Sequence, residues 1–211
     1  MYTGSGLHLD ADICLFLLHK NWFFWQCQRP ARRRLKPRWT LWADAVFRTP
    51  SGLKHTDIQR FNRFYRKPFE SHAKGNIETV CVVREPVDWL GSWYRYRSCE
   101  QLHGRPNSTA HVSFDEFVET YISKDRPSWA QVGDQARFTQ PNPDGPAITH
   151  LFQYEQMDKL VTFLQDRFQR EITLPQVNVS PKSQLTLDPK LDAKLRRKCA
   201  DQFDLWHSAR R

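Results

Sequence analysis

The sequence predicts an α/β fold, a parallel sheet flanked by helices. Three observations carry that expectation. Glu78–Arg84 (ETVCVVR) is a β-rich, largely apolar run of the kind found in a strand buried within a parallel sheet. Gln156–Arg167 places Met157, Leu160, Val161 and Leu164 at helical spacing, as an amphipathic helix turned to a core does. From Ala43 onward, strand-like and helix-like segments alternate. A chain of 211 residues suits one domain, and 39% hydrophobic with 13% aromatic residues can fill a sizeable core.

The elements follow in order. Ala43–Phe47 reads as a short strand and Thr49-Pro50-Ser51-Gly52 as a turn. Asp57–Tyr65 is polar-aromatic and reads as helix. After the Glu78–Arg84 strand, Pro86 stands where a helix tolerates its missing N–H, and the helix runs Val87–Arg97. Glu100–Ala110 is a polar loop. Ser113-Phe114-Asp115-Glu116 is an N-cap signature that opens a helix over Asp115–Ile122, with Phe114, Phe117, Val118 and Tyr121 as its apolar stripe. Pro141–Pro146 is turn-rich, Ile148–Tyr154 reads as a strand, and Asp188-Pro189 opens a last helix through about Trp206. No internal repeat is present.

Charge is uneven. The net charge is +9, but residues 1–40 hold seven basic residues against two acids, so five of the nine excess charges lie there. The rest is only mildly positive, which suits an anionic ligand as well as nucleic acid. The five cysteines form no Cys-x-x-Cys pair and have no zinc-ligand spacing with His, so reduced thiols in a cytoplasmic protein are expected, without a metal. The apolar run Ile13–Leu18 ends at Lys20, too short to span a membrane and without the flanks of a signal peptide.

The junction at Arg84 is the richest in chemistry. A strand ends there and a helix begins three residues on. Open α/β sheets bind ligands at the carboxyl ends of their strands, and a helix N-terminus presents unpaired N–H groups to an anion. Arg84 adds a permanent, two-pronged charge, and Ser92, eight residues along, adds a hydroxyl. The same residues also allow a purely structural arrangement, in which Arg84 pairs with Glu85 or Asp88 and Ser92 faces a neighbouring helix.

Several segments together resemble sulfotransferases that use PAPS (3′-phosphoadenosine-5′-phosphosulfate). That family shows Arg-x-Pro and then Ser-x-Tyr after a buried strand; here these are Arg84-Glu85-Pro86 and Ser92-Trp93-Tyr94. Leu151–Met157 (LFQYEQM) resembles its strand ending in Tyr-Glu, and Val177-Asn178-Val179-Ser180 its Asn-x-Ser segment. The resemblance covers about residues 43–206 and is strongest to small bacterial members, some of which carry a gamma-glutamyl kinase label. It implies a P-loop NTPase-like fold, PAPS as co-substrate, and Arg84 and Ser92 as binders of its 3′-phosphate. It also implies a small-molecule or carbohydrate acceptor with a hydroxyl or amine. Gly52-Leu53-Lys54-His55-Thr56 occupies the place of the family's general base, which makes His55, with Lys54 beside it, the catalytic candidates; a His can accept a proton near neutral pH.

The family's donor loop, of the type Pro-Lys-Thr-Gly-Ser-Thr after an N-terminal strand, is missing. Its place holds Cys27-Gln28-Arg29-Pro30-Ala31-Arg32-Arg33-Arg34. The codons for Asn21–Arg34, read one nucleotide out of frame, are compatible with Leu-Val-Phe-Leu-Ala-Val-Pro-Lys-Thr-Gly-Ser-Thr-Ala, a buried strand followed by that loop. The junctions at Asn21/Trp22, Trp22/Phe23, Phe24/Trp25 and Trp25/Gln26 are forced to Leu, Val, Leu and Ala. Residues 1–40, whose Trp22-Phe23-Phe24-Trp25 cluster and Arg run follow neither a helical nor a strand period, are therefore set apart as out of frame or disordered. Residues 41–211 form the sulfotransferase-like domain, inactive as written if the donor loop is truly absent.

Two other readings remain. A kinase or other NTPase on a related fold would need Gly-x-x-x-x-Gly-Lys-Ser/Thr, which this frame lacks. A nucleic-acid-binding arm would use Arg32–Arg38, but the rest of the chain has no basic stripe with interleaved aromatics, so nucleic acid is not the expected partner. Resequencing the gene across the codons for Lys20 to Phe47 should reveal compensating insertions and deletions that restore Val-Pro-Lys-Thr-Gly-Ser-Thr. A confirmed written sequence overturns the frame reading.

Overall fold

A computed structural model describes residues 14–19, 22–25, 56–169, 171–172 and 185–210. Helix and strand are mixed, and helices flank a small sheet that contains a two-stranded parallel part. Strands β1 (Cys14–His19), β2 (Trp22–Trp25), β3 (Glu78–Val83) and β4 (His150–Gln153) form one sheet in the order β2-β1-β3-β4. β3 and β4 run parallel, with Val80 opposite His150 and Val83 opposite Gln153. Thr79 and Thr149 pin the start of this pair, each backbone N–H donating to the other's hydroxyl at 3.1 Å.

β3 is the buried strand the sequence announces. Its side chains alternate between two cores, as the two-residue period of a strand requires. Val80 and Val82 pack with Phe152, Leu160 and Leu164, whereas Cys81 and Val83 pack with Ile58, Phe61, Phe69 and Ile77. Burial among these apolar groups pushes the Cys81 thiol far above its ordinary pKa, so it stays neutral.

Within the first forty residues, the described segments Cys14–His19 and Trp22–Trp25 are strands, with β1 antiparallel to both β2 and β3. The sheet is therefore mixed, and its parallel part is the β3–β4 pair. The reason is the open edge of β3: its buried N–H and C=O groups need partners, and a β-prone run two residues short of a second one can supply a hairpin. The expected strand Ala43–Phe47 lies outside the described residues.

The helices follow their caps. Asp57 Oδ1 accepts the Arg60 N–H at 2.7 Å and opens α1 (Ile58–Phe61). The helix widens to a π turn over Asn62–Arg66 and continues as α2 (Lys67–Ala73). Pro68 explains the widening, since its ring cannot fit an undistorted preceding turn and offers no N–H. α3 (Pro86–Arg97) starts with Pro86 in its first turn, one residue earlier than expected. α4 (Phe114–Tyr121) has the predicted Ser113 cap, with the hydroxyl accepting the Glu116 N–H at 3.1 Å. α5 (Gln135–Thr139), capped by Asp134, went unpredicted because it spans barely one turn and shows no period. α6 (Met157–Phe168) buries Leu160 and Leu164, while Met157 and Val161 stay half-exposed.

The expected last helix is two helices, α7 (Pro189–Lys198) and α8 (Ala200–Ser208), broken at Cys199. The break lets α8 turn onto the sheet. Beyond it, the Arg210 N–H donates to the Leu151 carbonyl at 2.9 Å, and the Gln153 N–H donates to the Arg210 carbonyl at 3.3 Å, so one further residue lies against the edge of β4.

A third, helical core gathers Trp89, Leu90, Phe114, Phe117, Val118, Tyr121, Leu195 and Phe203. Cys81, Cys99 and Cys199 are free thiols. Among the described residues no helix is long and apolar enough to cross a membrane. Phe117 is fully buried and its ring meets Phe114, Tyr94 and Trp129. Phe117→Ala should therefore lower stability by about 3–5 kcal/mol in urea unfolding. A loss below about 1 kcal/mol would show that this helical core does not hold the fold.

Candidate functional site

The site lies at the carboxyl ends of β3 and β4, and three side chains build it. The first is Gln135, from the start of α5. The Arg84 N–H donates to Gln135 Oε1 at 2.9 Å, and Gln135 Nε2 donates to the Arg84 carbonyl at 2.9 Å. A primary amide carries the same donor and acceptor as a peptide group, so Gln135 pairs with Arg84 as a neighbouring strand would. Gln135 is 1% exposed, and its own N–H donates to Gln202 Oε1 at 3.3 Å. Gln202 Nε2 donates to the Tyr121 hydroxyl at 2.9 Å, which donates to the Gly133 carbonyl at 3.1 Å. Burial holds the Tyr121 phenol well above its ordinary pKa, so it keeps the proton this chain of bonds requires.

The second is Glu155, just past β4. Its Oε1 accepts the Glu85 N–H at 2.7 Å and its Oε2 accepts the Trp206 indole N–H at 3.0 Å. The Tyr154 ring lies 4.4 Å from the Arg84 guanidinium carbon. The Arg84-Glu85-Pro86 turn and the Tyr154-Glu155 turn therefore meet.

The third is Glu85, the N-cap of α3. Its Oε2 accepts the Asp88 N–H at 2.8 Å, and Arg196 lies 3.8 Å from its other oxygen. Burial raises its pKa, against the opposing pull of the Asp88 N–H and Arg196. The helix N-terminus is thus occupied by the protein's own carboxyl group. Asp88 stands between two guanidinium groups: Arg84 Nε donates to its Oδ2 at 2.5 Å, and Arg95 is 3.7 Å from its Oδ1. Asp88, Ser92 and Arg95 fall at i, i+4 and i+7 and share one face of α3.

Arg84 and Ser92 thus sit at the predicted junction. The structural arrangement that the sequence also allowed is present for Arg84, whose partner is Asp88; Glu85 caps the helix instead. Ser92 is buried at 5% exposure, and no hydrogen bond joins it to Arg84. Among the described residues no acceptor engages the two Nη groups of Arg84. An anion on this site would meet those groups along the flank of α3, not the helix amides, which Glu85 covers. Lys54 and His55 lie outside the described residues, as do residues 27–34 and 177–180. No cluster of three or more His, Cys, Asp or Glu side chains suited to a metal occurs among the described residues.

Sequence reasoning passed over Gln135, Gln202 and Trp206. Glutamines on helices carry no positional signal, and their roles come from contacts across 51 and 67 residues of chain. Glu155 stands in the Tyr-Glu pair, but the sequence carries no sign of the two N–H groups it accepts. No protein-family model, curated protein or solved structure matches this chain.

Glu85 gives the site a pH signature. A carboxyl group with a higher pKa folded than unfolded binds more protons in the native state, so its effect on stability declines as pH rises between the two values. Urea unfolding from about pH 4 to pH 7 should show a shallower decline for Glu85→Gln than for the unmodified chain. Identical pH slopes would mean that the buried carboxyl does not titrate as the geometry requires.

Proposed function

We propose that this chain is a sulfotransferase-like protein whose Arg84 and Ser92 hold the 3′-phosphate of PAPS. The observation that carries the reading is the meeting of two separate segments that resemble the family. Arg-x-Pro and Tyr-Glu lie 70 residues apart in sequence, yet Glu85 and Glu155 are hydrogen-bonded at the carboxyl ends of adjacent parallel strands. That is where α/β sheets bind nucleotides. The P-loop NTPase-like architecture belongs to the same proposal.

In this reading the Arg84 Nη groups and the Ser92 hydroxyl face the 3′-phosphate, and Tyr154 and Asp88 hold the guanidinium in place. Transfer joins an acceptor oxygen or nitrogen to the sulfur and breaks the sulfur's bond to the 5′-phosphate, with 3′,5′-ADP leaving. The acceptor proton goes to His55, with Lys54 beside it, on a small-molecule or carbohydrate acceptor. The negative charge that develops on the leaving phosphate needs N–H groups and a cation around it. The residues as written at 27–34 supply arginines but no Lys-Thr-Gly-Ser-Thr loop. The written chain therefore holds the 3′-phosphate half of a donor site, and transfer awaits the restored frame.

The test is thermal unfolding of the full chain with millimolar ligand. A ligand that binds only the native state raises Tm in proportion to the logarithm of its excess over Kd. 3′,5′-ADP and PAPS should raise Tm weakly, ATP should not, and Arg84→Ala should abolish the rise. Equal stabilisation by ATP would favour a kinase-like protein, and no stabilisation by any of the three would sink the reading.

A further inference from the structure

We infer that Gln135 and Gln202 are positioning residues for Arg84, so that helix α8, far along the chain, governs recognition of the 3′-phosphate. The inference rests on the functional reading above but concerns residues that this reading does not use. Arg84 follows the last residue of β3, beyond the reach of the β3–β4 ladder that ends at Val83 and Gln153. What holds its peptide groups is the paired contact with Gln135, both bonds at 2.9 Å. With N–H and C=O both fixed, the direction of its Cα–Cβ bond is fixed, and the guanidinium settles between the Tyr154 ring at 4.4 Å and Asp88.

Gln135 cannot rotate away, because its side chain is buried and its backbone N–H is held by Gln202. Gln202 is 2% exposed and is itself held by Tyr121. One helical turn on, α8 places Trp206 against Glu155, whose other oxygen binds the Glu85 N–H. Two consecutive residues of the turn, Arg84 and Glu85, are thus tied to α8 by separate bonded routes. A two-pronged guanidinium contact depends on direction, so releasing the first route should cost affinity for the phosphate in particular.

The experiment compares 3′,5′-ADP with 5′-AMP, which differ only in the 3′-phosphate, by calorimetry on the full chain. The ratio of their dissociation constants isolates that group. Gln135→Met, close in size but unable to pair, should shrink the preference for 3′,5′-ADP on the order of tenfold while leaving 5′-AMP binding unchanged. In an Arg84→Ala background the same change should do nothing more to the ratio, because its only route is through Arg84. Gln202→Met keeps the Arg84 pair and loosens only its support, so it should lower the ratio by a smaller factor, and it serves if Gln135→Met does not fold. A merely structural role would weaken both ligands alike or add to Arg84→Ala, and either result overturns the inference. An unmodified chain with no preference for 3′,5′-ADP overturns the functional reading and this one with it. A preference lost in Arg84→Ala but kept in both Gln variants overturns this inference alone.

Discussion

The pairing of the Gln135 amide with both peptide groups of Arg84 is the contact on which the carboxyl end of the sheet depends. A strand that ends inside a protein leaves an N–H and a C=O that need partners, and a buried polar group left unpaired costs about 1–3 kcal/mol. Here the partner is a side chain from a helix 51 residues further on, not another strand. That choice ends the ladder at Val83 and lets the chain turn at once into Pro86 and α3. Gln202 and Tyr121 complete the network, so α4, α5, α8 and β3 meet at one buried point. Networks of this kind specify a single arrangement because every member must be satisfied together.

The electrostatics of the turn are balanced. Glu85 and Asp88 face Arg84, Arg95 and Arg196, and Glu155 spends both oxygens on N–H groups. Three carboxyl groups meet three guanidinium groups, so attraction for an anion would come from the direction of particular N–H groups more than from field strength. Glu85 covers the amides that make helix N-termini attractive to phosphate, and this shifts the candidate contact to the side of α3. Exposed pairs such as Lys194 with Glu119 contribute little by comparison.

The opposite end of the β3–β4 pair is held in a different way. Glu78 accepts from His150 at 2.9 Å and from Arg167 at 2.6 Å, and these partners keep its pKa below the ordinary value although burial pushes the other way. Arg210 donates to the second nitrogen of His150 at 3.2 Å and covers the rings of Phe152 and Phe163. Glu78, His150 and Arg167 thus close the amino end of the pair, while the Gln135 amide and the Glu155 carboxyl group tie down the end that carries the candidate site. Cys199, where the chain bends into α8, is a neutral thiol whose pKa burial pushes up to about 11.

Sequence alone determined what depends on neighbours in the chain. The buried run Glu78–Arg84, the Ser113 and Asp188 caps, Pro86 in the first turn of α3 and the stripe with Leu160 and Leu164 are all legible, because period and capping act within a few residues. The position of Arg84 and Ser92 at a strand-to-helix junction was legible for the same reason. Tertiary structure decided what depends on contacts between distant segments. It paired Arg84 with Asp88 when Glu85 was an equal candidate in sequence. It made strands of Cys14–His19 and Trp22–Trp25, because the unpaired edge of β3 rewards any β-prone partner whatever its period. It broke the last helix at Cys199, which places Gln202 and Trp206 on the Arg84–Glu85 turn. A glutamine or tryptophan on a helix carries no mark of the group it will meet, and only the folded chain brings that group within 3 Å or so.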